Sequence, residues 1–569
     1  MRRNLLTRFT FVVLALALAV LGAGGLATTA AATPIASQQA SPRTANPQYI
    51  ESGSDNPVTA APPVSRPNTQ HCTQTLADHF LSNAPDGSPQ SFSGTLSPPS
   101  NCKGPWTKVV LDYQVSVSGR QYDRVGDVRI GNTEVWWGTT EEPSGSTPTT
   151  YTVSKDITKY SALLRTPQPF HGGIGNYTSS VYTGNYDQTV TITYYQADRA
   201  HPAPAEPDAV VGLGDQQTSA SNNTVNVPLS GLPRNITRAY LELTLEGHGC
   251  DEQWFSDVPD DVSAKYPSAG LCAHGPYREA DVSLDGNPIA SVHTFPHIYS
   301  GGIVPTLWRP IPAIDTFSLH SETVDVTPFV GRLVDGGNHQ LTFTVANDGD
   351  TWDVVPTLLL YTDHHRATTS GAVTKDAVVP VAAQQTAEQS LSGGGTRATV
   401  TANRSDVTAG YVDTSAGRIY TTVTRTMDYR NIDSVTDNGL VQQLSQNDRG
   451  TQTSTSALNG RTVASARHAY DYPLSLSYSA ALYVDDQNFS LSGTVDMTMS
   501  LSDSGTGVRP TQSSENVDSY GILARSNGVT SQSDGHSTSS FHGFDDNGNP
   551  YVHLLASDHG RVTKNVVYP

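Results

Sequence analysis

The sequence predicts an all-β protein built from two tandem jelly-roll or β-sandwich domains and a further β-rich C-terminal region. Three observations carry that reading. Strict alternation of apolar and polar residues recurs along the chain, at 110–117 (VLDYQVSV), 189–195 (TVTITYY), 240–245 (YLELTL) and 341–345 (LTFTV), while helical periodicity is nearly absent. Such runs put one face on a core and the other in water, the pattern of antiparallel sheet. Charged residues make up 15% of the 569 residues, against roughly 25% in ordinary soluble proteins, and 48 Gly and 36 Pro supply turns between strands. The third observation is an internal repeat, described below.

At the start, Arg2, Arg3 and Arg8 precede an apolar stretch from Phe9 to Leu26 and a run of small residues through Ala32. A basic head, an apolar core and a small-residue end predict a secretory signal peptide over 1–32. An uncleaved anchor is the other reading, since the apolar stretch is close to spanning length. Residues 33–66, rich in Pro, Ser, Ala and Asn, read as a flexible leader. The first domain is expected over 67–200, and a linker with three Pro closes it (200–208). The second is expected over 208–365. After a polar stretch comes the C-terminal domain, 385–569, whose loops are rich in Asn, Ser and Asp and hold no evident chemical constellation.

The repeat orders the first two domains. Each begins with a long alternating strand that runs into a polar loop of acids and aromatics, GRQYDRV at 119–125 and GHGCDEQWF at 247–255. A hairpin follows in each, turning on Gly131-Asn132 and on Asp285-Gly286. Next comes an Asp-hydrophobic-Thr turn (Asp156-Ile157-Thr158 and Asp325-Val326-Thr327), and finally an apolar strand. One element order appearing twice predicts two domains of related design.

With 53 acidic against 34 basic residues the chain carries a formal charge of −19, so a phosphate backbone would be repelled and nucleic acid is not an expected partner. Four Cys in an exported chain favour disulfides, with neighbours paired inside each domain, Cys72 with Cys102 and Cys250 with Cys272. No pair has the CxxC or CxxH spacing of a zinc site, and the histidines, His171, His293 and His297 among them, have no helix to gather them, so no metal is expected. A nucleophilic Cys250 between His248 and Asp251 is the rival to its pairing.

Three loops hold groups suited to chemistry. In 248–255 a His, two adjacent carboxylates and two aromatics stand at a strand end, and an apolar wall there would raise one carboxyl while another stays ionised. The alternative is that the acids are solvated and Trp254 and Phe255 cap the sandwich. In the matching first-domain loop, Asp123 is close to Arg120 and Arg124, which would hold it ionised for work as a base, or merely form a surface ion pair. The third, 299–309 (YSGGIVPTLWR), offers Trp308 and Arg309 on a Gly- and Pro-stiffened segment. Its tryptophan suits a sugar face and suits a core equally well.

Taken in order, these segments resemble the peptide:N-glycanase A family. The likeness rests on 119–135 (GRQYDRVGDVRIGNTEV), 156–164 (DITKYSALL), 240–255 (YLELTLEGHGCDEQWF), 301–310 (GGIVPTLWRP) and 324–333 (VDVTPFVGRL), and covers residues 70–365 best. The resemblance implies a secreted, metal-independent amidase without cofactor, acting at acidic pH on the bond between Asn and the first N-acetylglucosamine of an N-glycopeptide or N-glycoprotein. It implies Asp123 and Glu252 as catalytic residues, with Arg120, Arg124, His248, Asp251, Trp254, Trp308 and Arg309 binding substrate. A third acid is also implied, for which the nearest region, 170–176 (FHGGIGN), offers His171 and Asn176 but no carboxylate. A monomer, free of the membrane once its signal is removed, is expected.

Overall fold

A computed structural model describes residues 54–568 apart from 83–89, 144, 146–147, 181 and 486. The expected signal peptide, and the flexible leader as far as residue 53, lie outside the described residues. Among those described, no helix is long and apolar enough to cross a membrane.

The first sandwich contains β1 (His71–Ser82), β2 (Phe92–Leu96), β3 (Trp106–Ser118), β4 (Val125–Ile130), β5 (Thr133–Thr139), β6 (Thr149–Asp156), β7 (Gln168–Ile174) and β8 (Asn185–Gln196). One sheet runs β1-β8-β3-β6 and the other β2-β7-β4-β5, the order of a jelly roll. In the second sandwich β9 (Ala209–Gly212) and β10 (Gln216–Gln217) together take the place of the first strand. They are followed by β11 (Thr224–Leu229), β12 (Ile236–His248), β13 (Ala280–Leu284), β14 (Asn287–Val292), β15 (Glu322–Asp325), β16 (His339–Val345) and β17 (Thr351–Thr362). Its sheets are β10-β17-β12-β15, with β9 also on β17, and β11-β16-β13-β14. Position for position this is the order of the first sandwich, so the repeat read in the sequence is a repeat of topology.

It extends to single hydrogen bonds. After β6, the Thr158 amide donates to Asp156 Oδ1 at 2.9 Å and the Ile157 amide to the Val109 carbonyl at 2.9 Å. After β15, the Thr327 amide donates to Asp325 Oδ1 at 2.9 Å and the Val326 amide to the Ala239 carbonyl at 3.0 Å. Each Asp side chain closes a local turn that ends its strand. Both two-residue hairpins form as expected, with Ile130 opposite Thr133 and Leu284 opposite Asn287.

The C-terminal region is an antiparallel sheet of eleven strands. Its first strands, β18 (Ser370–Ala377) and β19 (Gln384–Ser390), share one edge of β20 (Thr396–Thr414). From there it meanders through β21 (Gly417–Thr436), β22 (Val441–Leu458), β23 (Arg461–Asp485), β24 (Asn488–Gly505), β25 (Val508–Ser526), β26 (Val529–Phe544), β27 (Pro550–Asp558) and β28 (Arg561–Tyr568). Period-two burial along β20 and β21 gives it one apolar face. That face shares a core with the second sandwich, joining Met427, Leu444, Leu476 and Leu523 to Leu241, Phe255 and Trp308. The core of the first sandwich likewise reaches across, to Val210, Phe317 and Leu359 of the second.

The interface between the sandwiches corrects one simple expectation. Alternation in β12 puts Leu241, Leu243 and Leu245 into the core, but the opposite face does not meet water: Glu242 and Glu246 are both buried. The first sandwich covers them, with Lys159 Nζ 2.6 Å from Glu242 and the Tyr160 hydroxyl donating to the same carboxylate. Beside them, the edge of β5 is paired by a stretch of the second sandwich. Thr139 N donates to Thr316 O at 2.8 Å, Leu319 N to Trp137 O at 3.0 Å, and Trp136 Nε1 to Phe317 O at 3.1 Å.

Both disulfides pair neighbours, Cys72 with Cys102 and Cys250 with Cys272, at Cα separations of 6.2 and 5.6 Å. Cys250 is therefore not a free nucleophile.

Candidate active site

Two equivalent loops from each sandwich meet at the interface. Each contributes the loop from its third to its fourth strand, carrying Asp123 in the first and Glu252 in the second. Each also contributes the loop from its fifth to its sixth, carrying Glu142 in the first and Gly301 in the second. The repeat thus builds the site as well as the fold.

Gly301 is the meeting point. Its amide donates to Asp123 Oδ2 at 3.0 Å. A Cβ placed on Gly301 would lie 3.2 Å from Asp123 Oδ1 and in collision with Glu142 Oε2, so both carboxylates press against this residue. Glu252 sits in a short helical turn, Gly249–Ser256, directly after β12. It is 7% exposed, and its Oε1 has no hydrogen-bond partner.

The three acids are electrostatically linked, and burial acts on all of them. Burial raises the Asp123 carboxyl, opposed by the Gly301 amide and the Arg124 charge. Burial and the neighbouring Asp123 push Glu142 up to about 8, although Arg309 pulls the other way. Glu252 is driven well above the carboxylate range by burial first, then by the charges of Asp123 and Glu142. Three carboxyls in a dry space cannot all ionise, and Asp123, alone in receiving a backbone N–H and an Arg charge, is the one best able to stay charged. Glu252, with no stabilising partner, keeps its proton. A carboxyl able to stay ionised and one that keeps its proton, each sensing the other, are the kind of pair that acid–base hydrolysis uses.

Glu142, which the sequence reading did not single out, joins Asp123 at Gly301. It comes from the loop after β5 rather than from 170–176. There, Asn176 is buried and used structurally, accepting from Gln121 Nε2 at 2.8 Å and donating to Ser82 O at 2.6 Å, while His171 is exposed. The only signal was a pair of acids, Glu141-Glu142, in a loop whose polarity reads as solvent-facing; burial raises Glu141 as well, to about 7.

The remaining site residues divide. Arg309 is at the site: its Nη2 donates to the Glu142 carbonyl at 2.6 Å and lies 4.0 Å from that residue's Oε1. Arg120 and Arg124 flank Asp123 in a column with tyrosines, Arg120 over Tyr182 at 5.3 Å and Arg124 over Tyr177 at 4.1 Å. The Tyr122 and Tyr182 rings lie 4.0 Å apart between them. Arg124 Nη2 also donates to Gln121 Oε1 at 2.6 Å.

Four others are placed elsewhere. Asp251, 0% exposed, binds Arg278 Nη2 at 2.7 Å and accepts from Gly349 N and Trp352 Nε1. Trp308, 0% exposed, lies in the core with its Nε1 donating to Gly302 O at 2.8 Å. Trp254 is 4% exposed and packs in the same core, edge-on to Phe255. His248 points into the seam between the sandwiches, 2.9 Å from Asp353 Oδ2. An indole in a Gly- and Pro-rich loop fits a sugar face or a core, and here the core takes both.

Comparison with known proteins bears on this site. The family model described as peptide N-acetyl-β-D-glucosaminyl asparaginase amidase A matches residues 60–379, and that of the PNGase A C-terminal domain matches 397–474. The chain is 30% identical over 340 residues to the peptide-N4-(N-acetyl-β-glucosaminyl)asparagine amidase A of Prunus dulcis, a match covering 56% of this chain and 59% of that relative's length. Among solved structures, PNGF-II is similar at 13% identity and a TM-score of 0.37, over 52% of this chain and 66% of that one. PNGase F, a glycosylasparaginase from Flavobacterium meningosepticum, is similar at 14% identity and a TM-score of 0.34, over 52% and 96%.

Proposed function

Because the chain belongs to the peptide N-acetyl-β-D-glucosaminyl asparaginase amidase A family, we propose that it hydrolyses the amide bond between Asn and the innermost N-acetylglucosamine of N-glycopeptides and N-glycoproteins. One observation carries the reading within that family: Asp123 and Glu142 meet at Gly301, and Glu252 senses the charges of both, with unequal stabilisation of their charged forms.

Asp123 takes a proton from the attacking water as its oxygen bonds to the Asn side-chain carbonyl carbon. Glu252 gives its proton to the amide nitrogen as the C–N bond breaks. The products are Asp in the peptide and a glycosylamine, which balances one water consumed. Arg309, held beside Glu142, is the guanidinium placed to offset negative charge as the tetrahedral intermediate forms. The Tyr–Arg column around Asp123 supplies flat faces suited to sugar C–H surfaces. A donor whose proton is retained by burial is competent at acidic pH, where the reading places the enzyme's action. Two disulfides and the leader's pattern support a secreted, extracellular enzyme.

The test is mass analysis of an N-glycopeptide after incubation with the wild-type chain and with Asp123→Asn. The expected product is a peptide carrying Asp where the glycosylated Asn stood, absent with the variant. A peptide retaining one N-acetylglucosamine would mean endoglycosidase chemistry instead, and no product from the wild type would mean a carbohydrate-binding protein. Full activity of a correctly folded Asp123→Asn would remove Asp123 from the mechanism.

A further inference from the structure

Away from the three acids, the seam between the sandwiches holds a second cluster of charge. Asp127 and Arg129 on β4, Glu134 on β5, Asp215 between β9 and β10, Glu246 and His248 on β12, and Asp353 on β17 all face it. Five carboxyls therefore share one guanidinium. Arg129 is committed to three of them, at 2.7 Å from Asp127, 3.0 Å from Glu134 and 3.2 Å from Asp215. Glu246 and Asp353 are left with His248 alone as a positive or donating ring, apart from Gln217 Nε2, which donates to Asp353 Oδ1 at 2.8 Å.

His248 Nε2 hydrogen-bonds Asp353 Oδ2 at 2.9 Å, and Glu246 Oε1, 3.4 Å from the same nitrogen, is left outside that bond. Glu246 is 3% exposed and its Oε1 has no hydrogen-bond partner, which is costly for a buried carboxylate. The three donor atoms all lie within 4.8 Å of one another. Metal–ligand bonds of about 2.1 Å set ligand-to-ligand edges of about 3.0–3.4 Å, so these atoms are close enough together to share one cation. His248 and Asp353 are partly exposed, leaving a way in.

We propose that Glu246, His248 and Asp353 bind a divalent transition-metal cation at the seam of the two sandwiches. The imidazole selects a Zn²⁺- or Mn²⁺-like ion over Ca²⁺ or Mg²⁺, which prefer oxygen alone. His248 binds through its Nε2 lone pair, so any proton there is released on binding. The surrounding Asp127, Glu134 and Asp215 add negative potential, and Arg129 limits it. The site is a clamp: it ties the end of β12, which runs straight into the Glu252 turn, to β17 under the cover of the first sandwich. It takes no part in the hydrolysis, and its test is independent of that reading.

The full chain, stripped with a chelator and dialysed at neutral pH, is titrated separately with Zn²⁺, Mn²⁺, Ca²⁺ and Mg²⁺ and followed by calorimetry and Tm. The expected result is saturable one-to-one binding of Zn²⁺ or Mn²⁺ with a rise in Tm, weakened by at least about tenfold in both Glu246→Gln and Asp353→Asn. Both substitutions keep side-chain shape, and the Tm of the stripped variants reports their folding. Absence of saturable binding in the wild type would overturn the proposal, leaving a proton-shared acid cluster. So would equal binding by wild type and variants, which would place the ion elsewhere on the surface. Binding of Ca²⁺ in preference to Zn²⁺ and Mn²⁺ would overturn the assignment of ion class.

Discussion

Replacing Gly301 with Ala separates the geometry of the acids from the stability of the fold. The added methyl would sit 3.2 Å from Asp123 Oδ1 and overlap Glu142 Oε2. Carbon and oxygen in contact need roughly 3.5 Å, so the Glu142 carboxylate must withdraw by about 1 Å and Asp123 by a few tenths. Glu142 yields at the flexible end of its side chain, and Gly301 lacks the left-handed backbone that would itself resist a Cβ. Stability should therefore fall by no more than about 1 kcal/mol, the mild end of overpacking. Glu142 lies beside Arg309 and Asp123, and a displacement of about 1 Å that is passed to the reacting groups is worth up to about a hundredfold in rate. Expected, then, is a Tm within a few degrees of wild type and a loss of roughly ten- to a hundredfold in kcat, with KM little changed, measured by mass-resolved release of glycan from an N-glycopeptide. Wild-type kcat in a folded Gly301→Ala chain would refute the placement of the reacting carboxylates against this residue.

Two further outcomes are expected. Trp308→Ala should act on folding rather than on sugar binding, costing about 3–5 kcal/mol as a fully buried indole is removed; denaturant unfolding checks this, and an unchanged midpoint with a raised KM would contradict it. Stability should also depend on pH through buried acids: burial raises Glu142 and Glu515 to about 8 and Asp433 to about 7. Groups raised in the folded state contribute stability that is complete below their unfolded pKa and is lost as pH climbs through the folded value. The Tm of the metal-stripped chain should thus fall between about pH 5 and pH 8, and a rising profile over that window would count against these burial assignments.

The all-β class was legible because period two, turn dipeptides and scarce charge all reflect the same half-buried sheets. The repeat was legible because a jelly roll returns its turn chemistry at fixed places, as Asp156 and Asp325 show. The loops that hold Asp123 and Glu252 could be paired because each follows a long strand, while the two acids within them were singled out by the family resemblance. What alternation could not reveal is what covers the polar face. Glu246 reads as a solvent-facing residue of a half-exposed strand, and only the docking of the other sandwich buries it. The same blindness hid Glu142, whose loop is polar in sequence and dry in space, and made Trp254 and Trp308 look like sugar platforms. Asp251 next to Glu252 shows the limit most sharply: adjacent acids on one short turn point to opposite fates, one to a buried Arg278 and one to the reacting cluster.

The C-terminal sheet has a bearing on enzymes of this architecture in general. Thr306 Oγ1 donates to Ile522 O at 3.1 Å and Ser537 Oγ to Leu307 O at 2.9 Å, and a side chain at Gly521 would come within 2.7 Å of the Leu307 amide. These contacts fall on the segment that runs from Gly301 to Arg309. They come from β25 and β26, beyond residue 474, where the match to the family's C-terminal model stops. Sharing every acid of the site does not by itself give a relative this floor under the loop. Chimeras that exchange only the two matched segments would then inherit the chemistry without its foundation, and a hybrid of this fold needs β25 and β26 to travel with the site loop.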